Sequence, residues 1–358
     1  MINPLEATVV ASAPGKVILF GEHAVVYGKM AVAAAVSDMR IVVEAVTSSD
    51  EHLHLELPDL GDADGKPLCL HRPIKDIASF FAGVLAKGAK PQPPSTSHLD
   101  LLQEFLGDFE AVEKKALLPL TFLCLSLVPS IFLEKTSPNT QGLSVTTFSA
   151  SLPVGGGLGS SAAFCVASSA ALMRLEHVLG SGGNHKALDN SNGSGGTVGG
   201  DQCTRPPPED LNLINSWAFA AETLLHGNPS GLDNTVSCFG GAIRYLRQPM
   251  TTDAIEGFPN LDILLTNTLV PRETRALLAG VGRLRERFPE PTDLLFSAIE
   301  GVGTAFLEGA AKASLSADDI GRLAAMNHNL LCALGVSHRA LDRVKSIAGE
   351  YDCHSKLT

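Results

Sequence analysis

Residues 153–163 read Pro-Val-Gly-Gly-Gly-Leu-Gly-Ser-Ser-Ala-Ala, and this run constrains the chain more than any other segment. A strand-like stretch, Leu143 to Leu152, leads into it, and a small-residue helix starting near Ser160 leaves it. The glycines Gly155, Gly156, Gly157 and Gly159, two of them flanking Leu158, let the backbone turn sharply and come close to a ligand. The helix then offers unpaired N–H groups and the positive end of its dipole at the same point, a ready-made phosphate site. Ser160 and Ser161 add hydroxyls where a phosphate oxygen or its Mg2+ would sit. Taken alone, the run also reads as a glycine-rich turn with a serine N-cap and no ligand.

The 358 residues are enough for two domains and a substantial core. A formal net charge of -11 argues against nucleic acid or an anionic membrane as the main partner. An acidic protein that handles polyphosphate must neutralise it locally, with a few lysines, helix ends and a metal. The seven cysteines include no Cys-x-x-Cys pair, so neither a zinc ribbon nor a disulfide framework is indicated. Met-Ile-Asn-Pro-Leu-Glu lacks the basic-then-apolar pattern of a signal peptide, and a cytoplasmic location is the expectation. The most apolar stretch, Leu117 to Leu133, is too short to span a bilayer and reads as a buried core helix with proline-marked ends.

Val9 to Val26 reads as two strands around a Pro14-Gly15 turn, and the β-branched run Arg40 to Val46 as another strand. Residues 180–208 are rich in Gly, Ser and Asn and end in three prolines, the composition of a flexible insertion. Glu209 to His226 is a helix: Leu211, Ile214, Ala218, Ala221 and Leu225 form its apolar stripe, Gly227 caps it and Pro229 blocks continuation. Leu261 to Thr266 reads as a strand. Thr274 to Phe288, Thr292 to Lys312, Asp318 to Leu334 and His338 to Ala348 read as helices. The first half is therefore strand-rich α+β and the second mainly helical.

Two further segments carry possible chemistry. Lys16 stands in an otherwise apolar run, and Glu22-His23 follows Gly21 in a loop, where sites concentrate; a plain hairpin with a solvated lysine is the other reading. Glu222 projects toward the apolar stripe of its helix, and a carboxylate there wants a cation or donors. Asp233 follows a Pro-Ser-Gly turn and could cap the next helix. As a set these parts match phosphoryl transfer, which needs a phosphate cradle, a divalent metal, a positive side chain and a group to orient the attacking hydroxyl. The P-loop pattern and the protein-kinase motifs are absent.

Pro-Gly-Lys-Val-Ile-Leu-Phe-Gly-Glu-His-Ala-Val-Val (14–26) and the glycine-rich run resemble the first and second motifs of the GHMP small-molecule kinases. Residues 222–234 and 264–274 resemble the branch of that family that phosphorylates mevalonate. The resemblance implies an α+β GHMP kinase fold: a ribosomal-S5-like N-terminal domain over 1–250 and an incomplete ferredoxin-like, helix-rich C-terminal domain over 251–358. It implies that Asp233 takes or orients the proton of the substrate hydroxyl while Lys16 pairs with it and favours the alkoxide. Ser161 and Glu222 would coordinate Mg2+, and Gly155, Gly156, Gly157, Leu158, Gly159, Ser160 and Ser161 would hold the phosphates of ATP. Glu22, His23 and Thr274 would lie around mevalonate, with Arg244 and Arg272 as candidates for its carboxylate. A cytosolic homodimer is implied as well.

Family members continue beyond His-Ser-Lys-Leu-Thr with a third glycine-rich motif, whereas this sequence stops at Thr358. The expectation is an incomplete site with weak stability and activity. Two alternatives stay open at this level: another GHMP kinase, or a non-catalytic protein that binds nucleotide or a partner without transferring phosphate.

Overall fold

The computed structural model describes residues 7–61, 65–84, 90–133, 141–180, 205–227, 229–258, 260–268, 270 and 274–358. In chain order the elements are β1 (Thr8–Phe20), β2 (Ala31–Ser48), β3 (His52–Leu57), β4 (Leu68–Pro73), α1 (Ile74–Phe80), α2 (Thr96–Phe105), α3 (Ala111–Leu127), α4 (Pro129–Leu133), β5 (Gly142–Ala150), α5 (Ser160–Gly180), α6 (Pro208–His226), α7 (Leu232–Phe239), β6 (Ala242–Arg247), β7 (Met250–Ala254), α8 (Thr274–Arg287), α9 (Pro289–Ala311), α10 (Ala317–Ala333) and α11 (Arg339–Glu350). They form two compact units. One comprises Met1–Gly15, Ser37–Gly155 and Gly159–Phe239; the other comprises Lys16–Val36, Gly156–Leu158 and Gly240–Thr358.

In the first unit the strands run β4-β3-β5-β2. β3 is antiparallel to β4 and parallel to β5, and β5 is antiparallel to the later part of β2. Alternation sets the faces: Val43 and Ala45, Leu53 and Leu55, Leu68 and Leu70, and Leu143 and Val145 are all buried. α5 packs against α6, α3 and α7. Its small residues Ala162, Ala163, Ala167, Ser168 and Ala171 are buried, so the neighbouring helices come close without displacing bulk.

In the second unit the first residues of β2 pair with β6, and β6 with β7, all antiparallel. One core cluster gathers Val17, Phe20, Met30, Val32 and Phe306, with the rings of Phe20 and Phe306 4.9 Å apart. A second gathers Ala24, Phe296, Ile299, Leu331 and Leu357, and Tyr27 stacks on Phe296 at 4.4 Å. α5 and α9 are long and apolar enough by composition to cross a membrane. For α5 that apolarity serves burial within its unit.

Several sequence expectations need correction. Pro14-Gly15 makes no turn: β1 runs straight through it. Proline's fixed φ suits extended backbone, and a strand joined to its sheet through β2 can seat the missing N–H. Pro119 lies inside α3 rather than at an end, since the burial of Leu117, Leu118, Leu120, Leu123 and Leu127 outweighs one lost helical hydrogen bond. Leu261 to Thr266 forms no strand, and Leu264 is 91% exposed, because β propensity counts only where a neighbouring strand is available to pair. By compactness the second unit comprises Gly240–Thr358 together with Lys16–Val36, which includes most of the first motif, and Gly156–Leu158.

One glycine is fixed by both strain and space. Gly21 has φ +98°, and a Cβ there would meet Ala31 Cα and Met30 O at 2.5 Å. Gly21→Ala should therefore lower stability by roughly 2 kcal/mol or more. Urea unfolding reads this directly, and an unchanged midpoint would contradict it.

Candidate active site

The glycine-rich run is an exposed loop pinned at both ends. Gly155, Gly157 and Gly159 have φ of 72°, 80° and 72°, a region that side chains disfavour. A Cβ at Gly155 or Gly157 would meet nothing within 4 Å, so conformation rather than crowding demands glycine there. Gly155 N–H donates to Ser160 Oγ at 3.3 Å, and Ala163 N–H to Gly159 O at 3.0 Å as α5 begins. In the second unit Leu158 is buried, and its carbonyl accepts from Lys16 N–H at 2.8 Å. The first and second motifs thus share a backbone hydrogen bond. An exposed turn opening onto the start of a long helix is what a phosphate chain needs.

Behind that turn, α5 and α6 meet in a matched seam. Ser161 Oγ lies 3.1 Å from His226 Nε2. One turn further along α5, Cys165 lies close enough to Glu222 that the carboxylate's charge adds to burial in pushing the thiol well above its ordinary value. Ser161 and Cys165 are four apart, as are His226 and Glu222, so the two helices present these groups in opposite order along one face. Glu222 is 3% exposed. Asn234, 1% exposed, donates to Asn215 Oδ1 at 2.7 Å in one amide orientation. Turned over, it donates to Glu222 Oε2 at 3.2 Å and to Gly231 O at 3.1 Å. A serine hydroxyl and, one helical turn along the seam, a buried carboxylate are hard-oxygen donors of the kind Mg2+ accepts.

Asp233 enters from α7. Gly231, with φ 78°, makes the turn, and Ser230 Oγ accepts from Leu232 N–H at 3.2 Å. Asp233 then sits half-buried in the first turn of α7, a placement that suits a carboxylate. One turn later Ser237 Oγ donates to Pro14 O at 2.7 Å in a buried hydrogen bond. The helix face that carries Asp233 is thereby tied to the first motif, two residues before Lys16. Sequence reading did not foresee this tie.

The second unit holds Lys16 at 7%, Glu22 at 3% and His23 at 7% exposure. Burying three polar groups in this short segment sets it apart from a solvated hairpin. Glu22 Oε2 accepts from Asn327 Nδ2 at 2.9 Å, and Glu22 Oε1 forms an ion pair with Lys356 Nζ. Lys356 Nζ also donates to Ile18 O at 3.1 Å and to Leu357 O at 2.6 Å, and Leu357 N–H donates to His328 Nδ1 at 3.3 Å. The sequence had placed Glu22 and His23 beside substrate without Asn327 or Lys356. Lys356 stood in the final His-Ser-Lys-Leu-Thr run, which was the available signal. Thr274 opens α8, with its side chain outside the described residues; Arg272 and most of the 180–208 insertion also lie outside them. Arg244 is exposed on β6, 4.0 Å from Asp253.

The family model described as "GHMP kinases N terminal domain" matches residues 126–241, the stretch that carries the glycine turn, Ser161, Glu222 and Asp233. With that match, the fold is that of the GHMP class of small-molecule kinases. The mevalonate kinase of Homo sapiens is 35% identical over 362 residues, covering 99% of this chain and 84% of the relative. That of Arabidopsis thaliana is 33% identical over 364 residues, covering 97% of this chain and 87% of the relative. The chain belongs to the mevalonate kinase family. The crystal structure of L. major mevalonate kinase in complex with R-mevalonate has the same fold, with TM-score 0.61 and 21% identity over 97% of this chain and 82% of that one. The Methanococcus jannaschii mevalonate kinase gives 0.59 and 19% over 96% and 85%.

The Glu22–Lys356 pair should behave as a buried one, since their side chains are 3% and 13% exposed. Lys356→Ala leaves a buried carboxylate with Asn327 as its remaining named donor and should cost about 3 kcal/mol or more. The double variant Glu22→Gln/Lys356→Met should recover much of that loss in denaturant unfolding. Equal stability of the single variant and the parent chain would show that the pair is solvated.

Proposed function

We propose that this chain transfers the terminal phosphoryl group of ATP to the primary hydroxyl of mevalonate, giving 5-phosphomevalonate for isoprenoid and sterol synthesis. The observation that carries this reading is the glycine turn opening onto α5, with Ser161 in its first turn and the buried Glu222 behind it. The turn from Gly155 to Ser161, exposed at Gly155–Gly157 and half-buried at the start of α5, is suited to the phosphates, because N–H groups and the helix dipole act together there. When bound, Mg2+ would be held by Ser161 and Glu222 and would neutralise charge developing on the β- and γ-phosphates. Loose phosphoryl transfer leaves the protein mostly positioning and electrostatics to supply.

Asp233 is the group we assign to the substrate hydroxyl. It orients the hydroxyl and accepts its proton as the O–P bond forms, the role a positioned carboxylate plays in general base catalysis. Lys16 supplies a fixed positive charge that favours the alkoxide. Its burial strengthens that effect, because a charge acts over a longer range where water is excluded. Glu22, His23 and Thr274 are assigned to the surroundings of mevalonate. Glu22 would do this through its Lys356 pair, which fixes the carboxylate's direction and leaves His23 beside it. The family also supports a homodimer working in the cytoplasm.

The test is steady-state kinetics of the purified chain with Mg2+, ATP and a panel of mevalonate, phosphomevalonate, galactose and homoserine. Mevalonate should be the preferred acceptor. Asp233→Asn should lower kcat by roughly 10²–10⁴-fold with little change in KM for mevalonate. Preference for another acceptor would move the chain elsewhere among the GHMP kinases, and a fully active Asp233→Asn would remove the base from this scheme.

A further inference from the structure

β3 and β4 turn their leucines inward, and alternation therefore sets His52, His54 and His71 on the opposite face of the first unit's sheet. His54 stands directly across from His71 in the antiparallel register. The His71 ring stacks on His54 at 4.3 Å and on His52 at 4.5 Å between centroids. This histidine cluster lies on strands that the proposed reaction does not use.

Asp50 holds two of the rings in defined tautomers. Its backbone carbonyl lies 2.5 Å from His52 Nδ1, and its Oδ2 lies 2.5 Å from His54 Nε2. Both Asp50 atoms can only accept, so those ring nitrogens carry the protons. The lone pairs are left on His52 Nε2 and His54 Nδ1. Metal-bound histidines are typically held this way, with the second ring nitrogen donating to a carboxylate or a backbone carbonyl. Asp50 is itself anchored by Ser48 Oγ at 2.6 Å and His52 N–H at 3.2 Å. Partial burial pulls its carboxyl upward, but the hydrogen bonds from Ser48, His54 and the His52 amide prevail and bring it to about 2. The His71 ring is held below its ordinary value, first by burial and then by the neighbouring His54 and His52.

The geometry points to a surface site at which His52, His54 and His71 bind one divalent transition metal ion, zinc in the first instance, and clamp edge strand β4 to β3. Three imidazoles suit zinc or copper rather than magnesium or calcium, and they leave a coordination position for water. Binding in this way requires the exposed His71 ring to turn out of its stack so that the three lone pairs converge. The clamp would join β4, the outermost strand in the order β4-β3-β5-β2, to its only strand neighbour in that order. A metal that binds the folded hairpin in this way raises its stability by mass action.

A second grouping, His328, Cys332 and Asp342, brings its ligating atoms within 4.8 Å of one another. It is less suited. His328 Nδ1 accepts from Leu357 N–H, which leaves the proton on Nε2, 3.5 Å from Cys332 Sγ.

The test is calorimetric titration of the chelator-treated full chain with zinc, alongside copper(II) electron paramagnetic resonance. One zinc per chain is expected, with nitrogen couplings from several imidazoles in the copper spectrum and a higher melting temperature with zinc. His54→Ala and His71→Ala should abolish this site. Asp50→Asn should weaken it roughly 10–100-fold, and Cys332→Ser should leave it intact. The substituted histidines are partly or fully exposed, so metal-free unfolding should be little changed and serves as the folding control. Absence of zinc binding, binding unaltered by His54→Ala and His71→Ala, or binding lost in Cys332→Ser would each overturn the assignment.

Discussion

A carboxylate buried between two helices is the constraint around which the first unit is arranged. Glu222 is 3% exposed on α6, facing α5, whose neighbouring positions are small or thiol-bearing. Removing a carboxylate from water costs several kcal/mol unless donors or cations surround it. The alanine- and serine-rich face of α5 allows the close approach that creates this seam, and Asn234 at the start of α7 can turn a donor toward the acid. The glycine turn opens onto the same N-terminal end of α5. The first two turns of α5 thus bring the exposed glycine turn and the buried carboxylate of α6 close together. α7 adds Asp233 and is tied by Ser237 to the Pro14 carbonyl.

The second unit uses charge in a comparable way. Glu22 is held by Asn327 and Lys356, which stand 305 and 334 residues away in sequence. The bond from Lys16 N–H to Leu158 O binds the first motif to the glycine turn through backbone alone. Lys16 on β1 and Asp233 in the first turn of α7 are thereby mounted where packing limits their freedom, and Glu22 and His23 sit in the buried turn that follows β1.

Local pattern made much of this legible. The stripe Leu211, Ile214, Ala218, Ala221 identified α6, and the projection of Glu222 toward it anticipated the burial that is found. The helices from Thr274 to Glu350 follow their apolar periods to within a few residues. The errors fall where local preference met a tertiary demand. Pro14-Gly15 looks like a turn but is carried straight by pairing with β2, and Pro119 looks like a boundary but is absorbed by the buried stretch of α3 from Leu117 onward. Leu261 to Thr266 has strand composition without a strand partner. The Glu22–Lys356–Asn327 cluster and the Ser237–Pro14 bond join residues hundreds of positions apart, and no period or spacing encodes such contacts. The family resemblance, by contrast, rested on long motifs and agrees with the relatives.

The central claim is that the buried carboxylate at the α5–α6 seam serves a metal-bound nucleotide. Manganese(II) can replace Mg2+, and electron paramagnetic resonance can follow how much of it the protein takes up with ATP. The account predicts that the parent chain binds Mn2+ with ATP. The isosteric Glu222→Gln, folded as judged by its melt, should bind it at least about tenfold more weakly. Equal affinity in the two proteins would contradict the assignment and leave the buried charge without a purpose.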